Sequence, residues 1–422
     1  MRLKPLVKFD FTPYHYYKYL DDMFELLRHA RKNLPLAKRA LLMRVYITLH
    51  HFAPIKAVDE CDIVLKKLKQ YKMVDDRPFC LSIMELKAHA LMNAGLYPDG
   101  EILLKEIQAD WLCNKEILSD ETLFDLYDRL AAVYRAFNLI DLSKTYNTLS
   151  ITLADKLDDN RLRALAYRTK FKITLYPNMD LSSESLRKSI EATALMPSKR
   201  IETDNSLDVC ALEILSNSTV HQDKLILKLN SMLQDIEANN LHRAQIHCFF
   251  LLAICNLLKS EEKATLLAKE YVDRAINLST SYGIVGYLWR LYNLQAIIGI
   301  RMGFDSQHIY KIFFTVFDIL KKQGLLYIGN RDACEGNILA LSNIGYYLQE
   351  RKFESQFYQT MSLVTFAGQE YSAYPNQNLS DNPVNTFLVQ QYAKARKREI
   401  LFAQNTPPNL LWDTQTRYLL IL

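Results

Sequence analysis

The chain has 422 residues, 49% of them apolar and 23% charged, and its formal charge is +5, from 52 basic and 47 acidic side chains. That apolar share excludes general disorder, and the small positive excess disfavours a dedicated nucleic-acid binder, which carries clustered charge and a pI above ~9. Only 11 glycines occur, none between Gly100 and Gly283, against a usual ~7%. Phosphate loops and tight turns of a parallel α/β enzyme need more than that, so the composition points to helices stacked on helices.

In chain order, residues 1–20 hold Phe9, Phe11, Tyr14, Tyr16, Tyr17 and Tyr19 with Pro5 and Pro13, and residues 1–38 read as an aromatic leader with a capping helix. From 39 to 371, apolar residues recur at helical spacing with short breaks. The spacing predicts helix pairs at 39–52 and 55–72, 79–94 and 98–110, 121–137 and 141–156, and 160–175 and 182–195. They continue at 206–218 and 221–238, 240–258 and 262–281, 284–302 and 306–323, and 331–349 and 353–371. The units repeat about every 40 residues, the mark of a solenoid. Pro54 and Pro98 stand near helix starts, and Ser119, Ser182, Ser183 and Ser260 are placed as N-caps ahead of acidic residues. Residues 372–385 read as a polar loop, 384–404 as a last helix, and the apolar end TRYLLIL as a cap on the stack.

The seven cysteines stand singly, with no CxxC pair, which suits a reducing compartment and a cytoplasmic protein. The N-terminus lacks the apolar core of a signal peptide. The most apolar long segment, Ile284–Met302, contains Arg290, Asn293, Gln295 and Arg301, and reads as buried against protein rather than lipid. The basic clusters Lys66, Lys67, Lys69 and Lys72, and Lys394, Arg396, Lys397 and Arg398, read as solvated faces or a patch for an acidic partner.

Several units resemble tetratricopeptide repeats. Asn343-Ile344-Gly345 matches that family's Asn-Leu-Gly opening, with Phe353 as the entry aromatic of its second helix. Leu91-Met-Asn-Ala-Gly-Leu-Tyr-Pro places Gly95 and Tyr97 at the family's turn, and Ala132-Val-Tyr-Arg-Ala-Phe offers Tyr134. Ala132 and Ala275 stand where the family's small residues let two helices cross closely. The units run longer than the family's 34 residues and mostly lack its terminal proline. The resemblance implies a right-handed superhelix of about eight helix pairs, similar to the sensor arms of bacterial peptide-binding regulators.

Candidate chemistry is sparse. Gly95 and Gly100 have P-loop spacing, but Glu101 and Ile102 follow where Lys and Ser/Thr are required. His242 and His247 are five apart and miss the i,i+4 face of a helical metal site, so neither metal nor cofactor is expected. Arg44 with His50 or His51, and Arg301 with His308, fit the loose Arg-to-His spacing of all-helical HEPN ribonucleases, in which His would serve as acid/base. Val45 stands where those enzymes carry a polar residue.

Polar residues within apolar helices are the better guide. The first helix of each unit lines the concave side of such a solenoid, which places Arg135, Arg168, Arg290, Asn293 and Asn337 along a continuous groove in one curved rod. The expectation is an all-α solenoid acting as a non-catalytic binding scaffold or sensor arm for a protein or peptide, without membrane association and with self-association left open. The alternatives are a helical effector ribonuclease using Arg44 and His50, or a nucleic-acid-binding solenoid.

Overall fold

The computed structural model describes residues 53–70, 77–175, 179–195, 198–215 and 222–323, apart from 116, 138 and 260, together with positions 42, 45, 48 and 49. Among these the fold is all-α. The helices are α1 (Pro54–Gln70), α2 (Arg77–Asn93), α3 (Tyr97–Cys113), α4 (Asp120–Ala136), α5 (Ile140–Lys156), α6 (Asn160–Thr174) and α7 (Met179–Leu195). They continue as α8 (Lys199–Leu215), α9 (Gln222–Ala238), α10 (His242–Leu257), α11 (Glu262–Tyr282), a 3₁₀ turn at Val285–Tyr287, α12 (Leu288–Arg301) and α13 (Ser306–Lys322). The first helices of successive pairs begin at residues 77, 120, 160, 199, 242 and 288, steps of 39 to 46 residues.

One turn geometry recurs between them. After α2, Gly95 adopts φ +79°, its N–H bonds the Met92 carbonyl at 3.0 Å, and the Leu96 N–H reaches back to the Leu91 carbonyl at 2.8 Å. These two bonds satisfy carbonyls that a helix end otherwise leaves open. Asp158 (φ 50°), Asn240 (φ 52°), Gly283 (φ +64°) and Gly303 (φ +71°) repeat the left-handed step. The apolar residue that follows, Leu96, Leu241 or Ile284, folds back near φ −90° and ψ 61° to 74° and starts the next segment. Asp and Asn thus replace glycine at two of these turns, because their short polar side chains tolerate φ > 0.

Each helix packs on the next in sequence, and the first helices of the pairs also touch one another, α2 on α4, α4 on α6, α6 on α8, α8 on α10 and α10 on α12. They form an inner layer with the second helices outside. This layer returns to its start. The 3₁₀ turn ahead of α12 packs against α2. Arg243 on α10 donates to Asn93 at the end of α2 (2.7 Å), and Gln323, just past α13, donates to the Val285 carbonyl (2.8 Å) while lying against Gly95. The main core is accordingly continuous from Leu81, Leu104 and Leu126 in the first units to Phe250, Leu291 and Val316 in the last. Among the described residues the array is a solenoid whose later units come back to α2.

Between α5 and α8 the apolar clusters are small, such as Phe124, Ala154, Leu162 and Ala166. Short polar side chains share the packing. Asn147 donates to the Ala166 carbonyl (2.9 Å), Ser182 to that of Phe171 (2.9 Å) and Ser189 to that of Ala164 (2.8 Å).

Several expectations are corrected in detail. Helix α8 starts at Lys199 rather than 206, because its polar residues have polar neighbours: Asn205 bonds Ser189 and Thr193. Ser182 lies inside α7 and bonds α6 instead of capping, and Glu261 rather than Ser260 occupies the N-cap position of α11. Ser119 does cap α4, accepting from the Thr122 N–H at 3.2 Å. The tight crossings fall at Gly100, where an added Cβ would stand 3.2 Å from the Ala88 carbonyl oxygen, and at Gly299, where it would stand 2.6 Å from Ile309. The leader at 1–38, the Asn343–Phe353 unit, the segment 372–422, Arg44, His50, His51 and Asn337 lie outside the described residues.

Candidate functional site

The inward faces of the first helices carry a polar ladder with the period of the fold. Asp128, Arg168, Asp208, His247 and Tyr287 stand 40, 40, 39 and 40 residues apart, one per unit. Glu85 on α2 precedes them and accepts from Arg129 Nε at 3.3 Å. Asp128 on α4 accepts from the Thr169 hydroxyl of α6 at 2.7 Å. Arg168 on α6 donates through Nε to Asp208 (2.6 Å) and through Nη1 to Asp204 (2.7 Å), both on α8. The His247 ring lies 5.6 Å from that of Tyr287. Each contact joins neighbouring units, so the ladder fixes the register of one inner helix against the next.

At the lower end of the ladder, carboxylates crowd. Burial, and then the nearby Asp125, hold the Glu85 carboxyl well above its ordinary range, while Arg129 opposes both. Burial also raises Asp128.

At the upper end, cations dominate. Burial disfavours the charge on Arg168, but Asp204 and Asp208 outweigh it and hold the guanidinium charged; Arg168 in turn keeps both carboxyls below their usual range despite their own burial. One turn on, Lys172 has no carboxylate of its own, and desolvation followed by repulsion from Arg168 brings its ammonium down to about 7. Arg135 in the last turn of α4 is lowered by desolvation, with Arg243 adding repulsion. Arg290 on α12 is lowered to about 10, again by desolvation, and it feels Arg135 across the interior. Its guanidinium carbon sits 5.1 Å from the Trp289 ring and 5.9 Å from the Tyr287 ring, and its Nε is buried without a hydrogen bond. His247 is pushed down to about 4 by burial and is therefore neutral near pH 7.

Arg135, Lys172, His247, Tyr287 and Arg290 are only partly buried. Yet each is desolvated and each lies within electrostatic reach of others from different helices. Groups that touch solvent while protein surrounds them border a hollow, here enclosed by the ring of inner helices. Exposed Arg243 marks its rim at the seam with Asn93. Five cationic side chains, Arg135, Arg168, Lys172, Arg243 and Arg290, meet two carboxylates, Asp204 and Asp208. Such a hollow can hold an anion, since desolvated guanidinium groups bind oxyanions through charge-assisted hydrogen bonds.

Of the residues singled out in the sequence, Arg135, Arg168 and Arg290 share this interior. Arg168 is committed to Asp204 and Asp208, whereas Arg135 and Arg290 are not committed to a carboxylate. Asn293 is fully buried, and neither of its amide atoms has a hydrogen-bond partner. Lys172, Asp204, Asp208, Arg243, His247 and Tyr287 were not anticipated; the 40-residue register is the signal for Asp208, His247 and Tyr287, and the other three carry none. The second Arg–His pair is not one constellation: Arg301 ends α12 and donates to the Leu257 carbonyl, while His308 lies on α13 edge-on to Phe304. His242 stacks on Tyr282 at 3.8 Å, away from His247. Among the described residues, no three His, Cys, Asp or Glu side chains converge as metal ligands, and no helix is long and apolar enough to cross a membrane.

No protein-family model matches the chain, and no curated protein is significantly similar to it.

Proposed function

We propose that the chain is a non-catalytic binding arm built of tetratricopeptide-like helix pairs wound in a right-handed superhelix. It holds a protein or peptide segment in its inner hollow within a cytoplasmic regulatory assembly. The observation that carries this reading is the set of cations, Arg135, Lys172 and Arg290, that three inner helices present to one interior without carboxylate partners. Desolvating a cation without a partner costs stability, so a fold that gathers three of them is preformed for an anionic guest. Tyr97 and Tyr287 stand beside the cations and supply apolar contact area around the anchored group, while Trp289 is buried behind Arg290.

Anisotropy titrations of two labelled short-peptide pools, one acidic and one basic, test the reading. The acidic pool binds the full chain, and Arg290→Gln and Arg135→Gln each weaken it. Equal affinity for both pools, or affinity indifferent to both substitutions, overturns it.

A further inference from the structure

The charges around the hollow constrain the guest more closely than its sign alone. Arg168 and the carboxylates of Asp204 and Asp208 form one closed group, with bonds of 2.6 and 2.7 Å. That group carries one negative charge too many, and a single further cation balances it. Lys172, Arg135, Arg243 and Arg290 remain, so three positive charges are uncompensated when all are protonated. Beside them His247 is neutral, and Tyr97, Phe137 and Tyr287 are uncharged rings, the first two 6.4 Å apart. A single carboxylate leaves two of the three charges unmet. A phosphoryl group carries close to two negative charges and three acceptor oxygens, and a diphosphate carries more.

The four cations also come from widely separated places. Arg135 is on α4, Lys172 on α6, Arg243 on α10 and Arg290 on α12. No two share a helix, so a monodentate anion cannot serve them together. A compact group with oxygens on several sides can, and arginine is the side chain best shaped to meet phosphate oxygens.

We infer that the hollow between Arg135, Lys172, Arg243 and Arg290 is a binding site for a multiply charged phosphoryl group borne by the guest segment, which bridges α4 and α6 to α10 and α12. This rests on the reading of the hollow as a ligand site and specifies its occupant. The bound anion replaces mutual repulsion among α4, α6, α10 and α12 with attraction, so occupancy also tightens the seam where Arg243 meets Asn93 and Gln323 meets Gly95.

The test uses the purified full chain. Its thermal midpoint is followed while pyrophosphate is titrated in, then succinate at equal ionic strength, for the unmodified protein, for Arg135→Gln with Arg290→Gln, and for Lys144→Gln as a surface control. Circular dichroism checks that each variant is folded. The proposal expects a saturable rise with pyrophosphate that exceeds the rise with succinate. Removal of the two arginines together weakens the apparent affinity at least on the order of 10-fold, and the surface control does not change it. If succinate stabilises as strongly as pyrophosphate, and the arginines matter equally to both, the phosphoryl assignment is overturned while the anionic hollow stands. If neither anion gives a rise that depends on Arg135 and Arg290, the hollow itself fails as an anion site. Should the double variant not fold, Lys172→Met takes its place, with the same outcomes.

Discussion

At the scale of single residues, the inner cations are arranged at the expense of stability. Arg135, Lys172 and Arg290 are desolvated without a carboxylate of their own, so an apolar replacement of similar length removes an electrostatic penalty. Arg135→Met is expected to raise the stability of the ligand-free chain by about 1–2 kcal/mol, read from its denaturant midpoint. Asp208→Asn should act oppositely, lowering stability by about 2–4 kcal/mol, because it leaves Arg168 half-paired among other cations. Lys172 adds a pH signature. Its folded pKa of about 7 lies below the ordinary lysine value of about 10.5, so between these values the unfolded chain binds more protons and stability rises with pH. Arg168, Arg135 and Arg243 repel it and Asp208 opposes them. The stabilisation from Lys172→Met should therefore be largest below pH 7 and fade toward pH 10, which midpoints of the two proteins across that range would show. The sequence exposed Arg135, Arg168 and Arg290 because each interrupts an apolar helix. It concealed Asp208, His247 and Tyr287, which sit in segments of mixed polarity where no single position stands out. Only once the helix pairs are aligned do they fall on one register with Asp128 and Arg168.

At the scale of elements, the scarcity of glycine is explained by where the chain uses its few. Gly95, Gly283 and Gly303 take left-handed turns, Gly100 and Gly299 take close crossings, and Asp158 and Asn240 cover further left-handed positions. Asn240→Ala is expected to cost about 1 kcal/mol and Asn240→Gly nothing or less, a difference that thermal denaturation resolves. Gly299→Val must displace Ile309 and Phe304, and should destabilise by about 1–3 kcal/mol. Helix positions were legible because a 3.6-residue pattern between short breaks survives in the letters. The start of α8 was not legible. Its first turns are polar, and hydrophobic spacing has no means of showing that Asp204 and Asn205 have partners on α6 and α7.

At the scale of the molecule, closure changes how the array should unfold. An open solenoid is held by neighbour contacts alone and frays from its ends. Here the 3₁₀ turn, Arg243 and Gln323 tie the last described units to α2 and the turn after it, and one core spans both. The least apolar section lies in the middle, at α6 and α7, where small clusters and serine-to-carbonyl bonds carry the packing. Native-state hydrogen exchange should therefore show earlier opening in α6 and α7 than in α10 and α12, the reverse of end-fraying. Closure was not legible in the sequence, because periodicity reports that units repeat and not how far each is rotated from the last.

Linear arrays change length readily by gaining or losing a module through duplication or deletion. An array whose later described units dock on α2 has no such freedom. One additional module between them would carry Arg243 and Gln323 past Asn93 and Gly95 and leave the seam unmatched. The lineage of this protein should therefore vary by substitution inside a constant number of modules, and a chimera carrying a duplicated module should be the least tolerated of all its variants.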